Sequence, residues 1–557
     1  MAQTALTRLE RIKDRFGAPF AARKVALLFE LARIRLRTAR EVERLHEAVL
    51  FVRAYPDDPR VLAAARSLLA AFAARSDLRH QREALAHTGI AGTTSWFPFF
   101  FPTASWIVRH WPRQLCFDRG DDEAGATLAK SLPLLVTPIE AAALREAGLA
   151  GYAAIDRVRA PDETDATFLV RRVLALPGDA NTREAFYDAI NPSCELLATA
   201  DTPSRTRAEH ARAPLVFQRG DLRRGRPDLR TSIAQVPRGV EVLDAREGRK
   251  LVDLARGAMV TRKRDLDAFA YGDEREVLLV DAGDGLAFTF NGAQPEKRAP
   301  IAALFGGLTL QNGVPIGYLQ VDCVGGAVAL SFNTFETFRG GESAHVFGRL
   351  LAVLRHVFGA TSFSIEPYQL GAGNDEGIAS GAWWFYFKLG FRPRDRATLQ
   401  LARTELARVE RKRSHRSSRA TLEKLAQHHL FFSVDPRDTA FLPPLVETGW
   451  RCARLLAQTA GGERERAIAL LARTALERTG QRTLRGFSVD EKRAWTLWAP
   501  LVALLPLERW TARERADLVS VIRSKGAASE REYVARFAAH KRLQRDLWKI
   551  QPTKEAA

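Results

Sequence analysis

The sequence predicts an α+β protein: a mixed β-sheet domain with helices on both faces, flanked by mainly helical N- and C-terminal regions. Three observations predict it. Apolar residues recur at helical spacing in both outer regions. The stretch 240–398 switches to short apolar runs separated by tight turns, the pattern of strands. A segment rich in Arg, Pro and Gly precedes that switch. The chain has 557 residues, of which 46% are hydrophobic, enough for more than one core. The expected division is 1–200 mainly helical, 201–239 linker, 240–398 the sheet domain and 399–557 helical.

In chain order, Val25, Leu28, Leu31 and Ile34, then Leu45, Val49 and Val52, fall on single helical faces, with Pro56 and Pro59 as punctuation. Residues 83–200 read as mixed and mainly helical, with Thr137-Pro138 opening a helix because proline suits the first helical position. The apolar stretches Trp96–Val108 and Ala494–Leu507 contain prolines and fall short of the roughly 20 residues of a membrane span, so they read as buried helix or loop. The polar start of the chain, with Arg8, Arg11, Lys13 and Arg15, carries no apolar targeting run, and a cytoplasmic location is expected. Cys116, Cys194, Cys323 and Cys452 lie singly, and His428-His429 diverge on a helix, so no metal site is expected.

The formal net charge of +19 attracts nucleic acid, anionic lipid or acidic ligands at long range. Two basic stretches stand out, Arg219 to Arg230 within the linker and Arg411 to Arg419 after the sheet domain. Neither carries interleaved aromatic residues, so a solvated face is the plain reading and nucleic acid the alternative partner.

Within 240–398, Val240–Leu243 reads as a strand, Ala245–Met259 as a helix, and Glu276–Val280 with Leu286–Phe290 as a hairpin. Leu308–Leu310 and Pro315–Val321 flank Gln311-Asn312-Gly313, a tight-turn signal. The strand Ala327–Phe335 runs into Phe338-Arg339-Gly340-Gly341-Glu342-Ser343-Ala344. A helix follows, with Val346, Phe347, Leu350, Leu351, Leu354 and Phe358 on one face and Gly359 as terminator. Ser362–Ile365 is the next strand, Gly371, Gly373 and Asn374 a loop, and Asp375–Leu389 one helix ending at Gly390. From Ala420 onward the pattern is helical.

The strand-turn-helix unit Ala327–Phe358 and the aromatic helix Ala382–Phe391 resemble, in that order, the GNAT acetyltransferase superfamily. The resemblance implies a sheet domain that takes acetyl-CoA or another acyl-CoA and passes its acyl group to an amine. Phe338, Arg339, Gly340, Gly341, Ser343 and Ala344 form the turn that would grip the pyrophosphate. Without the family, a glycine turn followed by a helix start already makes an anion site from free backbone N–H groups. Two departures stand out. Counted from Arg339, Glu342 occupies the turn position where the family usually has glycine; counted from Phe338, Gly341 takes that position and the arginine is lost. Asn374 lies twelve residues before Tyr386 where the family's pantetheine-binding asparagine lies seven before.

Tyr386 matches the family's proton donor to the departing thiolate. Glu336 and Glu366, with His345 behind them, are the candidates for the base that deprotonates the amine. The alternatives are an acyl-CoA binder without transfer and a basic nucleic-acid-associated scaffold. The enzyme requires an open groove between the splayed fourth and fifth strands of the family fold with Tyr386 at its edge; the scaffold fills that groove with side chains.

Overall fold

The computed structural model describes residues 2–412, 414–435 and 445–550. A nine-stranded mixed sheet forms its centre: β1 (Gly239–Val242), β2 (Gly272–Gly283), β3 (Leu286–Ala293), β4 (Ala303–Gln311), β5 (Val314–Val324), β6 (Ala327–Thr334), β7 (Ser362–Ile365), β8 (Arg392–Pro393) and β9 (Leu430–Ser433). Its order is β8-β9-β7-β6-β5-β4-β3-β2-β1. All neighbours are antiparallel except β6 and β7, which run parallel.

Turn chemistry sets the hairpins. Asp284 and Gly285 join β2 to β3 at φ 57° and 76°, and Asn312 and Gly313 join β4 to β5 at φ 48° and 79°. These are the left-handed pairs that match strand twist. The Asn312 side chain also donates to Ala54 O (2.8 Å) and Val216 O (3.0 Å), pegging this hairpin to preceding parts of the chain.

Strand alternation divides the sheet into two buried faces. Ile316 and Tyr318 of β5 join the face covered by α2 (Ala245–Val260), whose Ala255, Ala258 and Met259 pack there. Leu319, Val321 and Cys323 join the opposite face, covered by α3 (Ser343–Phe358) through Phe347, Leu350, Leu351 and Leu354. The C-terminal helices continue that second core with Trp495, Trp498, Tyr533 and Phe537. The N-terminal helices, among them α1 (Ala39–Ala54), form a core of their own, and residues 95–196 hold another around three short strands.

Two expectations are corrected. The helix read as continuous from Asp375 to Leu389 is broken into α4 (Asp375–Ser380) and α5 (Ala382–Lys388) by Gly381 at φ 68°, which caps the first and starts the second. The region after Ala420 is not helical throughout: Leu430–Ser433 inserts as β9 between β7 and β8. A four-residue apolar run shows no period that separates strand from helix.

Segment 201–239 has little regular structure beyond the helix Leu229–Ile233 but is well anchored. It runs as a strap between N-terminal helices and sheet, with Thr202, Ser204, Thr206, Leu222, Leu229 and Ile233 buried. Among the described residues no helix is long and apolar enough to cross a membrane.

Candidate functional site

β7 pairs with β6 over three residues, Ser362–Ser364 against Ala327–Ala329. β6 continues to Thr334 paired on its other edge with β5, so the two parallel strands part beyond Ala329. A cavity of about 840 Å³ opens at this divergence. Its wall gathers Arg339, Gly340, Gly341, Ser343, Ala344, Glu366, Asn374 and Tyr386 from four stretches of chain.

The turn is built residue by residue. After β6 a single 3₁₀ turn, Glu336–Phe338, leads to Arg339 in extended conformation. Gly340 sits at φ 78°, the left-handed region that glycine enters without steric cost. α3 follows. Val346 donates to Glu342 O (2.8 Å), so the N–H groups of Ser343, Ala344 and His345 precede the helix ladder. The cap residue Glu342 makes no side-chain capping bond, unlike Asp244 at the start of α2, whose carboxylate takes the N–H groups of Arg246 and Glu247. Its carboxylate instead accepts from Arg223 N (2.9 Å) and lines a separate cavity with His345 and Arg349. The Glu342 carboxylate is thus engaged by the strap and not by the amides of its own helix start.

Tyr386 is buried, with its hydroxyl donating to Phe332 O at 3.5 Å and its ring edge-on to Phe347. Burial pushes its phenol well above the ordinary range, so it stays protonated at neutral pH. Asn374 caps α4 by accepting from Gly377 N (3.1 Å), and donates to Tyr368 O (3.0 Å). Arg339 donates to Thr334 O (3.0 Å) and pairs with Glu376. Glu366 is exposed at the end of β7. Near it Asp322 is pushed up to about 6, by burial first and then by the Glu366 charge.

Not every candidate reaches the cavity. Glu336 is exposed outside its wall, and Phe338 is buried against Phe51 (6.2 Å between ring centroids), because the 3₁₀ turn faces the N-terminal helices. His345 lies in the neighbouring cavity, 3.0 Å from Arg223, where burial and then that guanidinium lower its basicity. Of the three candidate bases, Glu366 alone lines the main cavity.

Sequence reasoning missed several residues of the wall. Arg224 and Arg226 enter from the strap, Arg264 from the loop after α2, and Lys388 from α5. Arg264 donates to the Tyr318 hydroxyl (3.0 Å) and to Glu376 (2.6 Å), so Glu376 is shared by Arg264 and Arg339. The wall thus carries five basic side chains and two carboxylates, Glu366 and Glu376. One signal was available. Tyr318, Gln320, Asp322, Ser331 and Asn333 put polar groups at alternate positions of two central strands, where a sheet covered on both faces is otherwise apolar.

The two basic stretches come together at this mouth. Lys388 has its ammonium pKa lowered by burial, then by Arg226 of the first stretch and Arg416 of the second. Trp384 on the rim donates to Ser417 Oγ (3.2 Å). Arg413 of the second stretch lies outside the described residues. Among the described residues, no group of three or more His, Cys, Asp or Glu could hold a metal ion.

Comparison of the chain with protein-family models, curated proteins and solved structures finds no match. The functional reading therefore rests on the geometry of this site.

Proposed function

We propose that the protein is an N-acyltransferase that moves an acyl group from acetyl-CoA or another acyl-CoA to an amine. The observation that carries this reading is the cavity at the divergence of β6 and β7, which brings an uncapped helix start, Tyr386 and Glu366 to one space. Its charge is graded to suit both substrates. The strap abuts the glycine turn, with Leu222 near Gly341 and Arg223 N on Glu342, and so carries Arg224 toward the end where Arg339 and the helix amides favour phosphate. Glu366, with Asp322 behind it, makes the β7 end negative and suits a cationic amine.

The chemistry follows from placement. In an extended strand the N–H and C=O of one residue point to the same side, so Phe332, whose carbonyl meets Tyr386 in the gap, also turns its N–H there. That N–H is suited to polarise a thioester carbonyl. Glu366 takes the proton from the amine, directly or through water. The neutral nitrogen attacks the carbonyl carbon, the C–N bond forms and the C–S bond breaks; Tyr386 gives its proton to the thiolate sulfur and is restored by the second proton that the nitrogen loses, passed on through water.

Calorimetric titration of acetyl-CoA into the intact protein tests the donor site, with Gly341→Trp as the variant that fills the turn. Micromolar binding lost in the variant is expected; a wild-type protein that does not bind overturns the proposal. Tyr386→Phe then separates transfer from binding. The expected outcome is a fall in kcat of about 10²-fold at unchanged affinity, and unaltered turnover removes Tyr386 from the chemistry.

A second reading has its own observation. The convergence of the Arg226 and Arg416 stretches on Lys388 also suits a longer polyanion, so a single-stranded oligonucleotide that binds and is not displaced by acetyl-CoA would favour a nucleic-acid role.

A further inference from the structure

We infer that the N-terminal helical region sets the conformation of the glycine turn, with Glu47 of α1 as its positioning residue. The inference rests on reading the cavity as an acyl-CoA site, and it assigns that helical region a part in binding.

The chain between β6 and the turn is held at three places from outside the sheet. Phe335 lies under the guanidinium of Arg262, 3.5 Å from its ring centroid. Thr337 donates its hydroxyl to Glu47, and Arg205 of the strap reaches the same hydroxyl at 3.4 Å. Phe338 stacks on Phe51 of α1 at an interplanar angle of 24°, and Phe51 stacks in turn on Tyr55. The clamp ends one residue before Arg339, where the chain returns to the cavity wall it left after Thr334.

The turn is tied down on both sides of Gly340: Arg339 donates to Thr334 O and pairs with Glu376, and Gly341 donates to Phe338 O at 3.3 Å. At Gly340 itself a Cβ would meet nothing within 4 Å, so side-chain packing does not hold that residue. The direction of its amides is inherited from the clamped residues before it and from α3 after it. Backbone donors bind an anion well only when they are already aimed, because aiming them on binding costs affinity.

Glu47 is placed to fix that aim. One carboxylate oxygen takes the Thr337 hydroxyl, and the other meets Arg205 at 2.5 Å and His46 Nδ1 at 3.0 Å. His46 is locked by Thr206 Oγ1 (2.8 Å), which also accepts from Ala91 N. Burial opposes ionisation of Glu47, but the His46 bond and the Arg205 charge win and bring its carboxyl to about 2. It is therefore a fixed, charged acceptor, and charge-assisted hydrogen bonds are both stronger and more directional than neutral ones.

The test uses two ligands that differ in the part the turn touches. Acetyl-CoA carries the pyrophosphate; acetyl-pantetheine lacks it. Ligand-observed NMR titrations are run with the full chain as wild type, Glu47→Gln, and Thr337→Val, which removes one hydroxyl and spares the buried charges. Expected is a roughly tenfold loss of acetyl-CoA affinity in both variants, with acetyl-pantetheine binding within twofold of wild type. Equal losses for both ligands would indicate general damage and overturn the positioning role, as would no loss for either. A wild-type protein that binds neither ligand overturns the acyl-CoA reading beneath it, and a wild-type protein that binds both while the variants do not differ overturns the inference alone.

Discussion

The N-terminal helices meet the central sheet beside its cavity, through Glu47 and Phe51 on the approach to the glycine turn, with the strap adding Arg224 and Arg226 to the cavity wall. The C-terminal helices meet it through a different device. Arg298 pairs with Glu276 of β2 at 3.2 Å and donates to the carbonyls of Lys525 and Ala527, while Lys525 pairs with Glu530 and donates to Ala302 O at 2.7 Å. These four charged side chains are almost wholly buried, and none lines the cavity. The difference teaches that a flanking region can serve a site or a scaffold according to where its polar contacts land. Substitutions should separate the two: the first flank moves affinity, the second stability.

The largest effect is expected from the second flank. Lys525→Ala leaves buried Glu530 with Arg298, at 3.9 Å, as its remaining cation and should cost about 3 kcal/mol in denaturant unfolding, with acetyl-CoA affinity of the folded fraction unchanged. A loss of affinity without a loss of stability would break the division. Next comes the paired substitution Arg224→Ala with Arg226→Ala. Both residues are exposed, so stability should change by less than about 1 kcal/mol, while acetyl-CoA binding weakens about tenfold and loses part of its salt dependence. Unaltered binding would return these arginines to the solvated surface.

The smallest effect is a pH dependence. Burial, against the opposing charge of Arg298, pushes Glu276 up from 4.5 to about 7. Between those values the folded protein keeps a proton that the unfolded chain has released, so this group's contribution to stability falls as pH rises through the window and levels above it. Asp265, raised to about 7, and Asp322, raised to about 6, act in the same direction. Thermal midpoints measured from pH 5 to 8 should fall less steeply for Glu276→Gln than for wild type. An identical slope in the variant would remove Glu276 as a source.

Features written in local chemistry were legible in the sequence. Asn312-Gly313 fixed a hairpin, and Gly359, left-handed at φ 67°, ended α3 where its apolar face stops. The break at Gly381 was hidden because helix-forming residues stand on both sides of it and a lone glycine inside such a run does not by itself mark an end. For the site, most of the turn, Tyr386, Glu366 and Asn374 meet around one cavity. Glu336 and Phe338 face elsewhere because a single 3₁₀ turn rotates them toward α1, an orientation that depends on a partner nearly three hundred residues away. Arg224 and Arg264 join the wall through tertiary packing, and arginines in loops carry no periodic mark.

The Asn312 peg carries a consequence in time. Its bond to Ala54 O spans 258 residues, so α1 leaves the ribosome long before its anchor exists. At about 5–20 residues per second that interval is roughly ten seconds to a minute. For most of it, Phe51 of α1 and the adjoining Tyr55 have none of their sheet partners to cover them, because these arrive with β2 and the strands after it. That apolar surface therefore stays uncovered while most of the intervening chain is made, and the order of synthesis makes its closure a late event.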